Sequence, residues 1–176
     1  MHTTEGIILK KIPYGEAGAL ITVLTKDFGK ITLAVQGVKK EAAKLKGHIE
    51  PMTHSAVSFV IGKNMYRATS ADSIDFFPNI RSDFEKLSVV SYVINLIDAN
   101  TFEERGDPRL FESVRDAFVL LDGAGGGRSE YEKILHDFHI RFLDIFGLLP
   151  PQKIGADHVR TVLANQLGLR YDIMGL

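Results

Sequence analysis

The sequence predicts an α+β protein: a small five-stranded β-barrel first, an all-helical part after it. Three observations carry that reading. Five short segments rich in Ile, Val, Leu and Thr, with period-2 alternation, fill residues 3–77. From Pro78 onward the apolar spacing becomes helical and stays so. Strands grouped ahead of helices, rather than interleaved with them, indicate α+β or segregated domains. The expected division is a barrel domain over 1–77, a helical domain over 78–152 and a helical tail over 153–176.

The elements follow in order. Residues 3–12 form the first strand, and Pro13, Gly15 and Gly18 punctuate the turn after it. "ALITVLT" (19–25) alternates Leu20, Thr22 and Leu24 against Ile21, Val23 and Thr25. "KDFG" is a turn in which Gly29 can take positive φ. "KITLAVQ" (30–36) sets Ile31, Leu33 and Val35 against Thr32, Ala34 and Gln36, and 53–61 alternates Val57, Phe59 and Ile61. "GKN" then turns the chain into a fifth strand, 65–77.

One helix is expected over 80–100, with Leu87, Val90, Ile94 and Ile97 on its apolar face. The next opens with Asp107 as N-cap and Pro108 at its first position, and Gly123 can end it. A third opens with Ser129 and Glu132 as a capping box. Its face is Tyr131, Ile134, Leu135, Phe138, Phe142 and Ile145, and Gly147 stops it. A last short helix is expected after Asp157.

Five short strands in such a chain fit an OB-fold, which often carries a helix between its third and fourth strands. Strand count alone does not separate it from an SH3-like barrel. Composition is that of a globular protein: 45% apolar and 24% charged residues in 176. The N-terminus lacks a basic start followed by an apolar stretch, and "LSVVSYVINLI" is too short to span a bilayer. A cytoplasmic protein with no membrane partner is expected. With no cysteine, disulfides and thiolate metal sites are excluded.

The net charge of −1 hides an asymmetry. Residues 1–70 carry ten Lys/Arg and five Asp/Glu, a net +5; residues 71–176 carry eleven and seventeen, a net −6. Charge divided this way points to a polyanion partner for the basic half. The densest part is "VKKEAAKLKGH", with Lys39, Lys40, Lys44 and Lys46, which falls between the third and fourth strands. Lysines at this density can track a sugar-phosphate backbone; the plainer reading is a solvated loop. Lys10, Lys11, Lys30, Lys63 and Arg67 can extend the patch. Phe28, at a turn tip, and Tyr66, near one, are the candidates for base stacking, and packing is the alternative for both.

Other features carry less. "GAGGG" (123–127) before a helix lacks the Gly-Lys-Ser/Thr ending of a phosphate loop and reads as a linker. "DFG" (27–29) reads as a turn. His136 and His139 stand three apart on a helix with no visible third ligand. Glu103 and Glu104 lie in a polar loop. No nucleophile or metalloprotease pattern is present, so no catalytic residue, metal or cofactor is expected.

"EGIILKKIPYGEAGALITVLTKDFGKITLAVQGVKK", "KLKGHIEPM", "MYRATSADSIDFFPNIRSD", "DPRLFE" and "RFLDIFGLLP" occur here in order. Over residues 4–150 the chain resembles the bacterial recombination mediator family RecO. The resemblance implies an N-terminal OB-fold and a helical domain. It implies a non-enzyme that binds single- and double-stranded DNA and anneals complementary strands. It implies help in loading RecA onto DNA coated by single-stranded-DNA-binding protein, together with RecR and, in some bacteria, RecF, at the nucleoid. By position, the family's DNA-facing basic stretch carries over to Lys39, Lys40, Lys44 and Lys46. The helical domain receives the acidic tail of single-stranded-DNA-binding protein in the family; Arg109 and Arg141 are assigned to it from charge and helix position. An adaptor that only docks that tail or another repair partner is the competing reading. Many relatives carry a four-cysteine zinc module after the segment matching "GLLP"; none is expected here. The resemblance fades after Pro151, and the shorter helical part is expected to expose apolar surface and to depend on a partner or on self-association.

Overall fold

A computed structural model describes residues 1–16, 18–36, 47–103, 106–149, 155, 159 and 161–164. Five strands form a closed barrel in the order β1-β2-β3-β5-β4. They are β1 His2–Tyr14, β2 Gly18–Thr25, β3 Gly29–Val35, β4 His54–Ile61 and β5 Tyr66–Asp75. Every pairing is antiparallel except the short β3–β5 contact, Leu33 with Tyr66 and Ala34 with Arg67. The chain passes from β3 to β4 without pairing them, and β5 closes the barrel on β3. This Greek-key closure is that of the OB-fold.

β1 makes the closure possible by serving two neighbours. His2 to Ile7 pair with β4, and Gly6 to Tyr14 pair with β2. A bulge between Ile8 and Lys10 bends the strand from one partner to the other. At Gly6, where both pairings meet, an added methyl would collide with the Val23 side chain. The alternation expected from the sequence places Ile21, Val23, Ile31, Leu33, Val57 and Phe59 in the barrel core. Ile49, on the far side of the lysine-rich insert, joins them. Each such side chain contributes about 1.5–3 kcal/mol by leaving water. The 25–29 turn has Gly29 at φ 70°, as its glycine suggested. The buried Thr25 hydroxyl donates to the Gly29 carbonyl at 2.8 Å and accepts from the Phe28 N–H at 3.0 Å.

Two compact units make up the chain. The barrel unit comprises Met1–Phe76 and Thr101–Phe111; the helical unit comprises Phe77–Asn100 and Glu112–Leu176. Within the barrel unit, the returning segment pairs with β3 through a parallel bridge between Lys30 and Glu103. The Phe111 ring meets His54 edge-on at 5.7 Å.

The single helix expected over 80–100 is two, α1 Pro78–Ser82 and α2 Phe84–Asn100. Asp83 separates them in an extended conformation, and its carboxylate caps α2 by accepting from the Lys86 N–H at 3.1 Å. In sequence Asp83 looks like one more polar residue on a helical face; its short side chain favours a cap instead. Of the expected face, Val90 and Ile97 are buried, whereas Leu87 and Ile94 are half-buried. Val89, Val93 and Leu96 are buried as well.

The third helix, α3, runs Pro108–Gly123; Pro108 opens it as expected, and Gly123 is its last residue but does not take positive φ. The Asp107 carboxylate accepts from the Arg109 N–H at 2.9 Å.

The capping box expected at Ser129 and Glu132 is not formed. The fourth helix, α4, spans Arg128–Ile145, and its N-cap is Gly127 at φ 75° with no side-chain cap. Glu130 instead reaches back to the Gly126 N–H at 2.6 Å. Glycine carries the positive φ, so the helix begins one residue before Ser129 can serve as cap. Tyr131, Leu135, Phe138 and Phe142 are buried as expected; Ile134 and Ile145 are half-buried, and His139 and Leu143 join the face. His139 Nε2 lies 3.0 Å from the Tyr92 hydroxyl, in the helical core. Gly147, at φ 68°, ends α4 through Gly147 N–H to Asp144 O and Leu148 N–H to Leu143 O, a Schellman motif.

Residues 161–164 are helical, with Val159 and Leu163 buried. Asp157 and most of the tail lie outside the described residues. Phe84, Val119 and Leu120 are exposed apolar side chains of the helical unit. No described helix is long and apolar enough to cross a membrane.

Candidate nucleic-acid interface

Strand register places the outward side chains of the barrel. Inward Ile21, Val23, Ile31 and Leu33 leave Thr22 and Thr32 facing out. Lys10 pairs with Thr22, and Thr22 with Thr32, so these three form one cross-strand row over β1, β2 and β3. In OB-folds, strands 2 and 3 and the flanking loops form the ligand face.

The predicted cations fare differently. Lys10, Lys63 and Arg67 are exposed. Arg67 donates to the side-chain oxygen of Gln36, the last described residue before the lysine-rich insert. Lys11 is tied to Glu50 at 2.8 Å, just past that insert. Lys30 is buried, at 8% exposure, where the returning segment bridges β3. Lys39, Lys40, Lys44 and Lys46 lie outside the described residues. Described residues thus flank the insert with one exposed guanidinium and one lysine–glutamate pair.

The stacking candidates are half-buried. Phe28 meets Phe59 edge-on at 5.2 Å and His2 at 5.4 Å, and the Tyr66 ring lies 5.4 Å from Phe59. Each ring packs on the barrel core while keeping part of its surface in solvent.

Arg109 and Arg141 belong to different compact units. Arg109 pairs with Asp107 at 2.7 Å, and its guanidinium holds the Asp107 carboxyl below the usual aspartate range. Arg141 lies 3.5 Å from Asp116, which also receives Arg115 at 2.7 Å. Both arginines keep exposed charge that an acidic partner would have to share with these carboxylates.

A groove of about 370 Å³ opens between β3 and the β4–β5 turn. Leu20, Ile61, Met65 and Tyr66 supply its apolar wall; Thr32, Asn64 and Glu103 supply its polar atoms. The Thr32 hydroxyl donates to Glu103 Oε1 at 2.8 Å. Sequence reading missed Glu103 here, because its partner lies 71 residues earlier and no local pattern joins them.

The model of the RecO N-terminal domain, "Recombination protein O N terminal", matches residues 1–77, and that of the C-terminal domain matches 81–161. A DNA repair protein RecO of Syntrophus aciditrophicus is 32% identical over 151 residues, 85% of this chain and 57% of the relative. The protein of that name from Halalkalibacterium halodurans is 32% identical over 149 residues, again 85% and 57%. The one from Dehalococcoides mccartyi is 30% identical over 162 residues, 92% and 62%. The chain therefore spans a little over half the length of these relatives. Matched in order by the domain models of both halves, the chain belongs to the RecO family, whose curated members are described as DNA repair proteins.

Proposed function

We propose that this chain is a non-catalytic DNA-binding recombination mediator. It binds single- and double-stranded DNA through phosphates and anneals complementary strands. It assists recombinase loading onto DNA coated by single-stranded-DNA-binding protein, with RecR as partner and the RecA filament as indirect beneficiary. The barrel domain, 1–77, faces DNA; the helical domain, 78–152, receives the partner's acidic tail; 153–176 extends it. No zinc or other cofactor takes part.

The observation that carries this reading is an OB barrel of a DNA-repair family with Lys10, Lys63 and Arg67 exposed, Arg67 being bonded to Gln36, the last described residue before the lysine-rich sequence. Two strands repel through their phosphates. A surface that neutralises both lowers that barrier without reading sequence.

The test is annealing of complementary oligonucleotides coated with single-stranded-DNA-binding protein. The chain should accelerate annealing, and changing Lys39, Lys40, Lys44 and Lys46 to Ala should remove most of the acceleration. No acceleration by the wild type, with binding to the acidic tail retained, would establish the adaptor reading instead.

A further inference from the structure

The groove beside β3 combines features that a simple phosphate-tracking surface does not need. Its lining mixes apolar and polar groups, includes one aromatic ring, and contains a carboxylate. We propose that it receives one unstacked DNA base with hydrogen-bond donors on its pairing edge, guanine best and thymine worst. This rests on the DNA-binding reading above and adds a base preference to an otherwise sequence-blind contact.

Tyr66, Ile61 and Met65 line the groove, and an aromatic ring with aliphatic neighbours can pack on a base. The volume admits a base with part of its sugar, and a duplex would not enter. Glu103 is anchored by the Thr32 hydroxyl on one oxygen. Among the described residues its other oxygen has no hydrogen-bond partner, and the Asn64 amide shares the lining.

Charge selects the kind of occupant. The stem of exposed Arg67 lies 3.3 Å from where a methyl on the lining residue Gly62 would stand, and exposed Lys63 follows Gly62, so cations border a groove that holds an anion. A free phosphate would meet Glu103, and a basic peptide would meet Lys63 and Arg67. A nucleotide within a strand satisfies both signs: its phosphate faces the cations, and its base faces the carboxylate.

The carboxylate then ranks the bases. Guanine presents N1–H and the 2-amino group side by side, matching the open carboxylate oxygen and the second lone pair of the oxygen that Thr32 holds. Adenine and cytosine offer an amino donor beside a ring-nitrogen acceptor. Thymine offers one N–H between two carbonyl oxygens that repel the carboxylate.

Fluorescence anisotropy of the full chain with short oligo(dT), oligo(dT) carrying spaced dG, and the same strand with inosine for dG tests this. The dG strand should bind at least about fivefold tighter than oligo(dT). Inosine, which lacks the 2-amino group, should recover only part of the gain. Glu103→Gln keeps an acceptor for Thr32 and should abolish the preference, so that the dG and dT strands bind this variant within about twofold of each other. Equal wild-type binding of the dT and dG strands overturns the proposal, as does a preference that survives in Glu103→Gln. Failure to bind all three strands overturns the DNA-binding reading with it.

Discussion

The carboxylate of Asp122, at the end of α3, accepts a hydrogen bond from the backbone N–H of Ile80 at 2.9 Å, and so caps α1 from another helix. Its second oxygen takes the Asn79 side-chain amide at 3.2 Å. The residue at the N-cap itself is Phe77, in the left-handed region at φ 50°, with no side-chain oxygen to offer. Its ring is fully buried, 5.6 Å from Phe118 and edge-on to it. That burial offsets a backbone conformation costing about 1–2 kcal/mol. Replacing Asp122 by Ala should lower stability by about 1 kcal/mol in urea unfolding, and Asp122→Asn, which keeps an acceptor, should lose less. An Asp122→Ala variant as stable as wild type would show that the cap carries no net energy.

The same helix end is closed by a buried lysine. Lys86 Nζ donates to the carbonyls of Asp122 at 3.2 Å and Ala124 at 2.6 Å, and lies 5.5 Å from the centre of the Tyr131 ring. A cation at a helix C-terminus satisfies carbonyls that the helix leaves open. Lys86→Met keeps the stem but orphans both carbonyls. It should cost about 2 kcal/mol by denaturant titration.

Ser113 shows the converse. Its hydroxyl is buried and has no hydrogen-bond partner within the described protein. Ser113→Ala removes a desolvated polar group without opening a cavity of methyl size. The variant should be as stable as wild type or more stable by about 1 kcal/mol in thermal unfolding.

Asp107 links stability to pH. The Arg109 side chain, hydrogen-bonded to it, is the largest cause of its lowered pKa. A carboxyl with a folded pKa below its unfolded value stabilises the fold fully above the ordinary aspartate range. The contribution is lost as pH falls through the folded pKa. The stability gap between wild type and Asp107→Asn should therefore be constant near neutrality and narrow only in acid, as read by denaturant midpoints at stepped pH. A gap that narrows already between pH 8 and 6 would exclude this origin.

The barrel was legible because its evidence is local. Alternation at Ile21/Val23 and Ile31/Leu33, the Gly29 turn, and Asp107-Pro108 each act within a few residues. Asp83 and Gly127 were misjudged because two local rules competed there. A helix-compatible polar face competed with a cap at Asp83, and a serine cap competed with a positive-φ glycine at Gly127. The site divided the same way. Exposed Lys10, Lys63 and Arg67 could be named from charge, but the fate of Lys30 and the place of Glu103 depend on a bridge across 73 residues of chain. No spacing rule reaches that far.

The most direct test of phosphate-tracking DNA binding is equilibrium binding of a single-stranded oligonucleotide across a salt series. It compares wild type with the variant in which Lys39, Lys40, Lys44 and Lys46 are Ala, and with Lys10, Lys63 and Arg67 changed to Ala. Log K should fall linearly with log[salt] for wild type. The four-lysine variant should bind more weakly, with a slope shallower by about 3, and the triple variant with one shallower by about 2. Affinity and slope unchanged in both variants would contradict the assignment and place the DNA contact elsewhere.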